Sequence, residues 1–167
     1  SCRLPVAQFK RGKRFQRIWN RNADVRVEEC SQLSGDAPYF LYHEYIEKRH
    51  SNGDMYPATP EQFETFIRSN TEGGQYYCFY IEDKLIAVGV SDVLHGGLSA
   101  VYTFFDPSLE KRSLGNFVIL WQIERARSLG LDHLYLGYWI KNCAKMEYKS
   151  TFRPLEMLLE GKWVLLK

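Results

Sequence analysis

Three stretches of this sequence concentrate the residues that do chemistry. Lys111-Arg112-Ser113-Leu114-Gly115-Asn116 offers two cations, a hydroxyl and a glycine just ahead of a long apolar segment. At a helix start, that composition presents free backbone N–H groups and a positive dipole end to a phosphate. The plainer alternative is an ordinary helix cap with Gly115 chosen for packing. The second stretch, Asp92 to Pro107, puts one carboxylate inside an otherwise apolar strand and follows it with the hydroxyls of Ser99 and Tyr102. A buried carboxylate needs a partner or a task. Asp92, Ser99 and Tyr102 are therefore the candidate catalytic groups, with a paired structural aspartate as the alternative for Asp92. The third, Tyr135 to Lys149, carries a glycine after a strand, several aromatics, and Lys145, Tyr148 and Lys149. These cations suit a phosphate, an acidic side chain or a carboxyl group.

Other chemistries lack their signatures. The four histidines (His43, His50, His95, His133) show no metal-ligand spacing, so no metal site is expected in this chain and each histidine reads as structural or exposed. No Ser-His-Asp order and no Walker loop is present. Cys2, Cys30, Cys78 and Cys143 are too sparse for a disulfide scaffold and point to a reducing cytoplasm. No apolar run approaches the ~20 residues of a membrane span, and no secretory signal opens the chain.

Charge is uneven. The net charge is only +2, yet residues 1–21 hold seven basic groups, among them Lys10, Arg11, Lys13 and Arg14, and no acid. The remaining residues carry fifteen basic groups against twenty acidic ones. Such a segregated basic segment is a phosphate-binding signal. Phe9, Phe15 and Trp19 interleave with it as candidate stacking surfaces for unpaired bases; a solvated basic helix with an apolar stripe is the alternative.

The elements that must position these groups follow from patterning. Residues 4–9 suggest an edge strand and 11–20 a short basic helix. Asp24–Glu28 alternates as a strand. Asp36 and Pro38 mark a helix to about Arg49, and Thr59-Pro60-Glu61 a second to about Ser69. After a turn at Gly73–Gly74, Tyr76–Glu82, Leu85–Leu94 and Leu98–Phe105 form an antiparallel meander. Ser113 caps the longest helix, Leu114–Leu129, which Gly130 closes. His133–Tyr138 is a strand, 141–152 is irregular or briefly helical, and Trp163–Leu166 is the last strand. The length of 167 residues suits one core. The expected class is α+β, a mostly antiparallel sheet flanked by helices, in the element order of the GCN5-related N-acetyltransferase fold.

These stretches together resemble the C-terminal region of the arginyl/leucyl-tRNA–protein transferase family. The resemblance is carried by Asp92–Pro107 (DVLHGGLSAVYTFFDP), Ser113–Gly115, Ile119–Glu124 (ILWQIE), Tyr135–Ile140 (YLGYWI) and Cys143–Glu156, with a weaker match at Arg49–His50 and Gly53–Met55. It covers essentially the whole chain. The wording of Ser99–Pro107 and Leu136–Ile140 is similar to the bacterial branch, the aspartate/glutamate leucyltransferases. The resemblance implies transfer of Leu from leucyl-tRNA to proteins beginning with Asp or Glu, which marks them for degradation; Arg as donor, or a CoA-dependent acetyl transfer on the same fold, are the alternatives. Partners would be aminoacyl-tRNA and acidic protein N-termini, with no DNA and no membrane. It also implies that residues 1–23 are a basic arm left from a preceding cysteine-bearing region, with Cys2 a candidate ligand of a metal or cluster held there, and 24–167 the catalytic domain.

The chemistry asked of such an enzyme is modest. The donor ester is already activated, so no cofactor is required. The acceptor α-amine has a reference pKa of about 8 and is partly neutral at pH 7. Alignment and oxyanion stabilisation supply most of the rate. Asp92, Tyr102 or Ser99 would orient the amine or relay its proton, Arg112 to Gly115 would hold the tRNA 3′ end, and Lys145, Tyr148, Lys149 or Arg49 would meet the acceptor side chain. Arg112, Asp92 and Lys149 are then expected to share one cavity, and Asp92→Asn to lower transfer.

Overall fold

The computed structural model describes residues 1–69, 74–140 and 142–166. Gly73 of the expected Gly73–Gly74 turn lies outside them. In chain order the elements are β1 (Cys2–Pro5), α1 (Lys13–Arg21), β2 (Arg26–Cys30), α2 (Ala37–Arg49), α3 (Pro60–Phe63, continuing as a wider π-helical stretch Glu64–Arg68), β3 (Gly74–Ile81), β4 (Lys84–Leu94), β5 (Gly97–Phe105), a 3-10 helix Pro107–Arg112, α4 (Leu114–Ser128), β6 (His133–Gly137), a second 3-10 helix Ala144–Thr151, β7 (Leu155–Leu159) and β8 (Lys162–Leu166).

The eight strands form one sheet in the order β2-β3-β4-β5-β6-β1-β7-β8. Every neighbouring pair is antiparallel except β5 and β6. The mixed α+β class and the meander β3-β4-β5 are as the patterning indicated. Two differences concern the ends of the chain. The first strand is Cys2–Pro5 rather than residues 4–9, and it is no edge strand: it lies between β6 and β7. Residues 1–23 thus place β1 and α1 inside the sheet and core of the same body. The strand β7 was not legible in the pattern, because only part of its short span is covered.

Each sheet face has its own apolar core. On one, Phe15 and Ile18 of α1 meet Leu114, Phe117, Val118 and Ile123 of α4. The spacing of Phe15 and Ile18 puts one stripe of α1 inward while Lys13, Arg14 and Arg17 face out. On the other face, Leu41, Tyr42 and Ile46 of α2 and Phe63 of α3 pack over Tyr76, Val88 and Phe104. Fully burying such side chains contributes on the order of 1.5–3 kcal/mol each. Thr59 caps α3, its hydroxyl oxygen accepting from Gln62 N–H at 3.1 Å. Asp36 and Ser113 make no such side-chain bond; Ser113 instead takes a left-handed conformation (φ 53°, ψ 48°) that turns the chain into α4. Gly130 closes α4's end at φ 68°.

Candidate active site

The parallel pair β5–β6 is short. It runs only over Gly97–Ser99 against His133–Tyr135. There the backbones approach so closely that a Cβ on Gly97 would stand 2.5 Å from the Tyr135 ring and 3.1 Å from the His133 carbonyl oxygen. Beyond that apex the strands diverge. β6 ends at Gly137 in a positive-φ turn (74°), whereas β5 continues to Phe105 paired with β4 alone. From Ala100 onward, one edge of β5 therefore has no strand partner among the described residues, and it faces a cavity of about 810 Å³.

Three other elements close the cavity: the first turn of α4 at Leu114–Asn116, the 3-10 helix through Lys145, Tyr148 and Lys149, and the last turn of α2 through Tyr45, Arg49 and His50. The first intrahelical bond of α4 is Phe117 N–H to the Ser113 carbonyl, at 3.0 Å. The amides of Leu114, Gly115 and Asn116 precede it and have no intrahelical partner, so this helix end is a positive pole on the cavity wall. Gly115 also serves packing: a Cβ there would lie 3.2 Å from the Phe105 ring.

Opposite stands a cationic wall. Arg49 lies over the Phe105 ring, its guanidinium carbon 5.3 Å from the centroid. Lys149 is 8% exposed, and its ammonium donates to the Tyr138 carbonyl at 2.6 Å. Desolvation lowers the pKa of that amine, partly opposed by Cys2 and Cys143. Among the described residues, none of Arg49, His50, Lys145 and Lys149 is ion-paired with a carboxylate. Among the described residues, Glu110 is the one acid on the cavity lining. Burial raises the phenol of Tyr102, with Tyr45 and Tyr42 adding to it, so Tyr102 is a neutral donor there.

Eight of the residues singled out by sequence thus meet on one cavity: Tyr102, Ser113, Leu114 and Gly115 on one side, and Arg49, Lys145, Tyr148 and Lys149 on the other. Others do not. Asp92 sits opposite Ser99 in the β4–β5 ladder, half-buried rather than buried, and neither lines the cavity. The β4 strand runs past its covered section at this point, which is why Val93 and Leu94 beside it are exposed. Arg112 also turns away: it holds Asp24 in a two-point ion pair at 2.8 and 2.9 Å. That guanidinium keeps the Asp24 carboxyl below its usual range. The expected trio of Arg112, Asp92 and Lys149 therefore reduces to Lys149 alone. Asn116, of the Lys111–Asn116 stretch, lines the cavity too, and so do His50, Tyr45 and Glu110; of these three the sequence marks only His50, through the weaker Arg49–His50 match.

The basic segment divides likewise. Lys10, Lys13 and Arg14 line a shallower depression of about 330 Å³ with Arg153. Arg11 is engaged elsewhere, 3.9 Å from Glu124 and 4.2 Å from the Trp19 ring centroid. Phe9 and Phe15 are 3% and 6% exposed and pack on Phe152, so they are core and not stacking platforms. Cys2 is wholly buried, its thiol donating to the Gly137 carbonyl at 3.3 Å. Burial pushes that thiol up, which opposes thiolate ligation. Among the described residues no cluster of His, Cys, Asp and Glu is placed to hold a metal ion, and no helix is long and apolar enough to cross a membrane.

Comparison with known proteins places this arrangement. The family described as "Arginine-tRNA-protein transferase, C terminus" matches residues 37–159. An aspartate/glutamate leucyltransferase of Pseudomonas fluorescens (strain Pf0-1) is 48% identical over 165 residues, which is 99% of this chain and 70% of that protein. Among solved structures, L-PGS from Bacillus licheniformis superimposes with a TM-score of 0.63 at 10% identity, over 87% of this chain and 48% of that one. The ribosomal-protein-S18-alanine N-acetyltransferase from Escherichia coli does so at 0.53 and 18% identity, over 75% and 76% of the two chains. At such identities these likenesses show the fold, which is the acetyltransferase-like one that the element order indicated.

Proposed function

The chain belongs to the arginine-tRNA-protein transferase family, and on that premise we propose that it moves leucine from leucyl-tRNA onto the α-amine of proteins that begin with Asp or Glu. It is an aminoacyltransferase. The observation that carries the finer reading is the cavity itself: an open strand edge and a helix N-terminus face a wall of Arg49, Lys145 and Lys149 that no carboxylate of the described residues neutralises. That combination suits two anionic visitors at once, a terminal phosphate and an acidic side chain.

In this reading the 3′ terminus of the charged tRNA lies with its last phosphate at the amides of Leu114–Asn116. The leucyl ester extends along the unpaired edge of β5, where backbone N–H groups donate to its carbonyl oxygen. The acceptor's carboxylate meets Arg49 and Lys145, which brings its α-amine onto the ester carbonyl. The amine forms the new C–N bond, the carbonyl oxygen becomes an oxyanion, and the bond between the acyl carbon and the ribose oxygen then breaks. The Tyr102 phenol, neutral at physiological pH, donates toward the oxyanion. No covalent intermediate with the protein and no cofactor is needed, because the ester is already activated. Lys10, Lys13, Arg14 and Arg153 form a separate cationic face for the tRNA backbone. The reaction belongs in the cytoplasm, where aminoacyl-tRNA is made, and its product carries an N-terminal Leu that marks it for degradation.

The fold likeness to an N-acetyltransferase makes acetyl-CoA the second donor to test. The full-length protein is incubated with a peptide beginning with Asp and, in turn, labelled leucyl-tRNA, arginyl-tRNA and acetyl-CoA. Leucine labelling of the Asp peptide, with an Ala-initial peptide left unlabelled, is the expected outcome. Preferential arginine or acetyl labelling would replace the proposal with one of those alternatives.

A further inference from the structure

We propose that His50 is the proton carrier of the transfer: it takes the proton released by the attacking α-amine and returns it to the departing ribose oxygen. This rests on the reaction proposed above and gives a role to a residue that the sequence marks only through the weaker Arg49–His50 match.

The argument begins with position. Of the four histidines, only His50 lines the cavity. It follows α2 directly and is fixed at its backbone: its N–H donates to the Ile46 carbonyl at 2.9 Å, and its own carbonyl accepts from Gly53 N–H at 2.8 Å. Its ring meets Tyr45 edge-on, centroids 4.8 Å apart. Gly53 brings Lys145 alongside. A Cβ there would lie 3.7 Å from the His50 Cβ and 3.8 Å from the Lys145 ammonium. Among the described residues the imidazole ring makes no side-chain hydrogen bond; it stands on the cavity wall beside Tyr45.

The acceptor's own geometry makes this position useful. In an N-terminal Asp or Glu the carboxylate and the α-amine are separated by only a few bonds. A group that receives the amine's proton must therefore stand beside the cations that receive the carboxylate. Arg49 precedes His50 in the chain and Lys145 shares its glycine, so His50 meets that requirement.

A base must also be free of its proton. Burial and the neighbouring Lys145 and Arg49 lower the imidazole pKa, leaving the ring neutral at physiological pH. The groups that face it are Tyr45 and Arg49 from α2, Lys145, Tyr148 and Lys149 from the 3-10 helix, Tyr102 from β5 and Glu110. All but Glu110 are cations or phenols. Glu110 is therefore the competing base, and the test includes it.

The proton balance closes without a further reactant. Neutral His50 accepts one proton as the C–N bond forms, and the resulting imidazolium gives one proton to the ribose oxygen as the C–O bond breaks. The products are an amide and a free ribose hydroxyl.

The test is the pH dependence of kcat/KM for the full-length protein with leucyl-tRNA and an Asp-initial peptide. In the wild type the rate falls as the amine protonates below about pH 8. It steepens further below the pKa of His50, under about 6.5. In His50→Gln the rate at neutral pH falls by roughly 10²–10³-fold and the steepening disappears. In Glu110→Gln the steepening remains. An NMR titration of the wild-type imidazoles, with His50 identified by the resonance missing from the variant, gives a midpoint below about 6.5. The proposal is overturned if His50→Gln keeps either the rate or the steepening, if Glu110→Gln removes it, or if the His50 midpoint lies at or above the ordinary value. A wild type that labels with arginine or acetyl groups, and never with leucine, removes the underlying reaction as well.

Discussion

Substituting Gly97 by Ala perturbs the point from which the cavity opens. Gly97 is buried and its φ is not in the left-handed region, so alanine is sterically excluded by its neighbours rather than by its own backbone. The added Cβ would meet the Tyr135 ring at 2.5 Å and the His133 carbonyl oxygen at 3.1 Å. The ring has little room to retreat: it packs edge-on against Trp163, with centroids 5.8 Å apart, and Arg3 donates to its hydroxyl at 3.4 Å. The carbonyl belongs to the neighbouring strand and moves only with it. Relief therefore requires β5 and β6 to separate. Overpacking of this kind costs typically 1–3 kcal/mol. For a domain of this size each kcal/mol lowers Tm by roughly 2–4 °C, so the variant melts about 2–12 °C below the wild type. The spread also shifts the edge of β5 against α4, and transfer falls more than stability, because small misplacements of reacting groups are costly. Thermal unfolding by circular dichroism and a leucine-transfer assay below the melting range read the two effects. A variant that melts with the wild type and transfers at full rate would refute the account of the apex.

Asp92→Asn, on a residue that does not line the cavity, leaves kcat/KM for transfer within about twofold of wild type, well under the loss expected for a positioned acid–base group; a large loss would return Asp92 to the site. Asp106 is 3% exposed and accepts from Ser108 N–H at 2.9 Å and from Lys84 at 2.7 Å, and these bonds outweigh desolvation to hold its carboxyl below the usual range. A depressed carboxylate contributes stability above its unfolded pKa of about 3.9 and loses it as pH falls through the folded value. Asp106→Ala is therefore expected to cost about 1–3 kcal/mol in urea unfolding at pH 7, with the gap to wild type narrowing in strongly acidic buffer. Replacing Lys10, Lys13 and Arg14 together with Gln weakens tRNA binding and flattens log Kd against log salt by up to about 2.7, near 0.9 per lost phosphate contact. Arg11→Gln, at a residue occupied by Glu124 and Trp19, changes that slope little.

Much of this molecule is legible in its sequence because local signals and tertiary needs agree. The meander from Tyr76 to Phe105 alternates with clear turns, and the long helix from Leu114 to Gly130 has both its apolar face and its stop. The cavity's cations were also visible, since Lys145, Lys149 and Arg49 stand in stretches dense with chemistry. What failed depends on pairing at long range. Nothing local tells that Cys2–Pro5 inserts between β6 and β7, which lie more than a hundred residues away. Phe9 and Phe15 look like a nucleic-acid platform until Phe152 arrives to bury them. The place of Arg112 before a helix suggests a phosphate ligand, yet Asp24, 88 residues earlier, claims it. His50 looks like a lone histidine, because the sequence does not show that Lys145 folds back beside it.

The central claim is that the aminoacyl end of the tRNA and the acceptor amine meet in the cleft between β5, α4 and the Arg49–Lys145 wall. Hydrogen exchange read by mass spectrometry, with and without a non-hydrolysable amide analogue of 3′-leucyl-adenosine, tests it directly. Slowed exchange of the amides in Ala100–Phe105 and Leu114–Asn116, with the β7–β8 hairpin unchanged, is the predicted result. Binding that protects other segments while those two exchange at their free rates would contradict it.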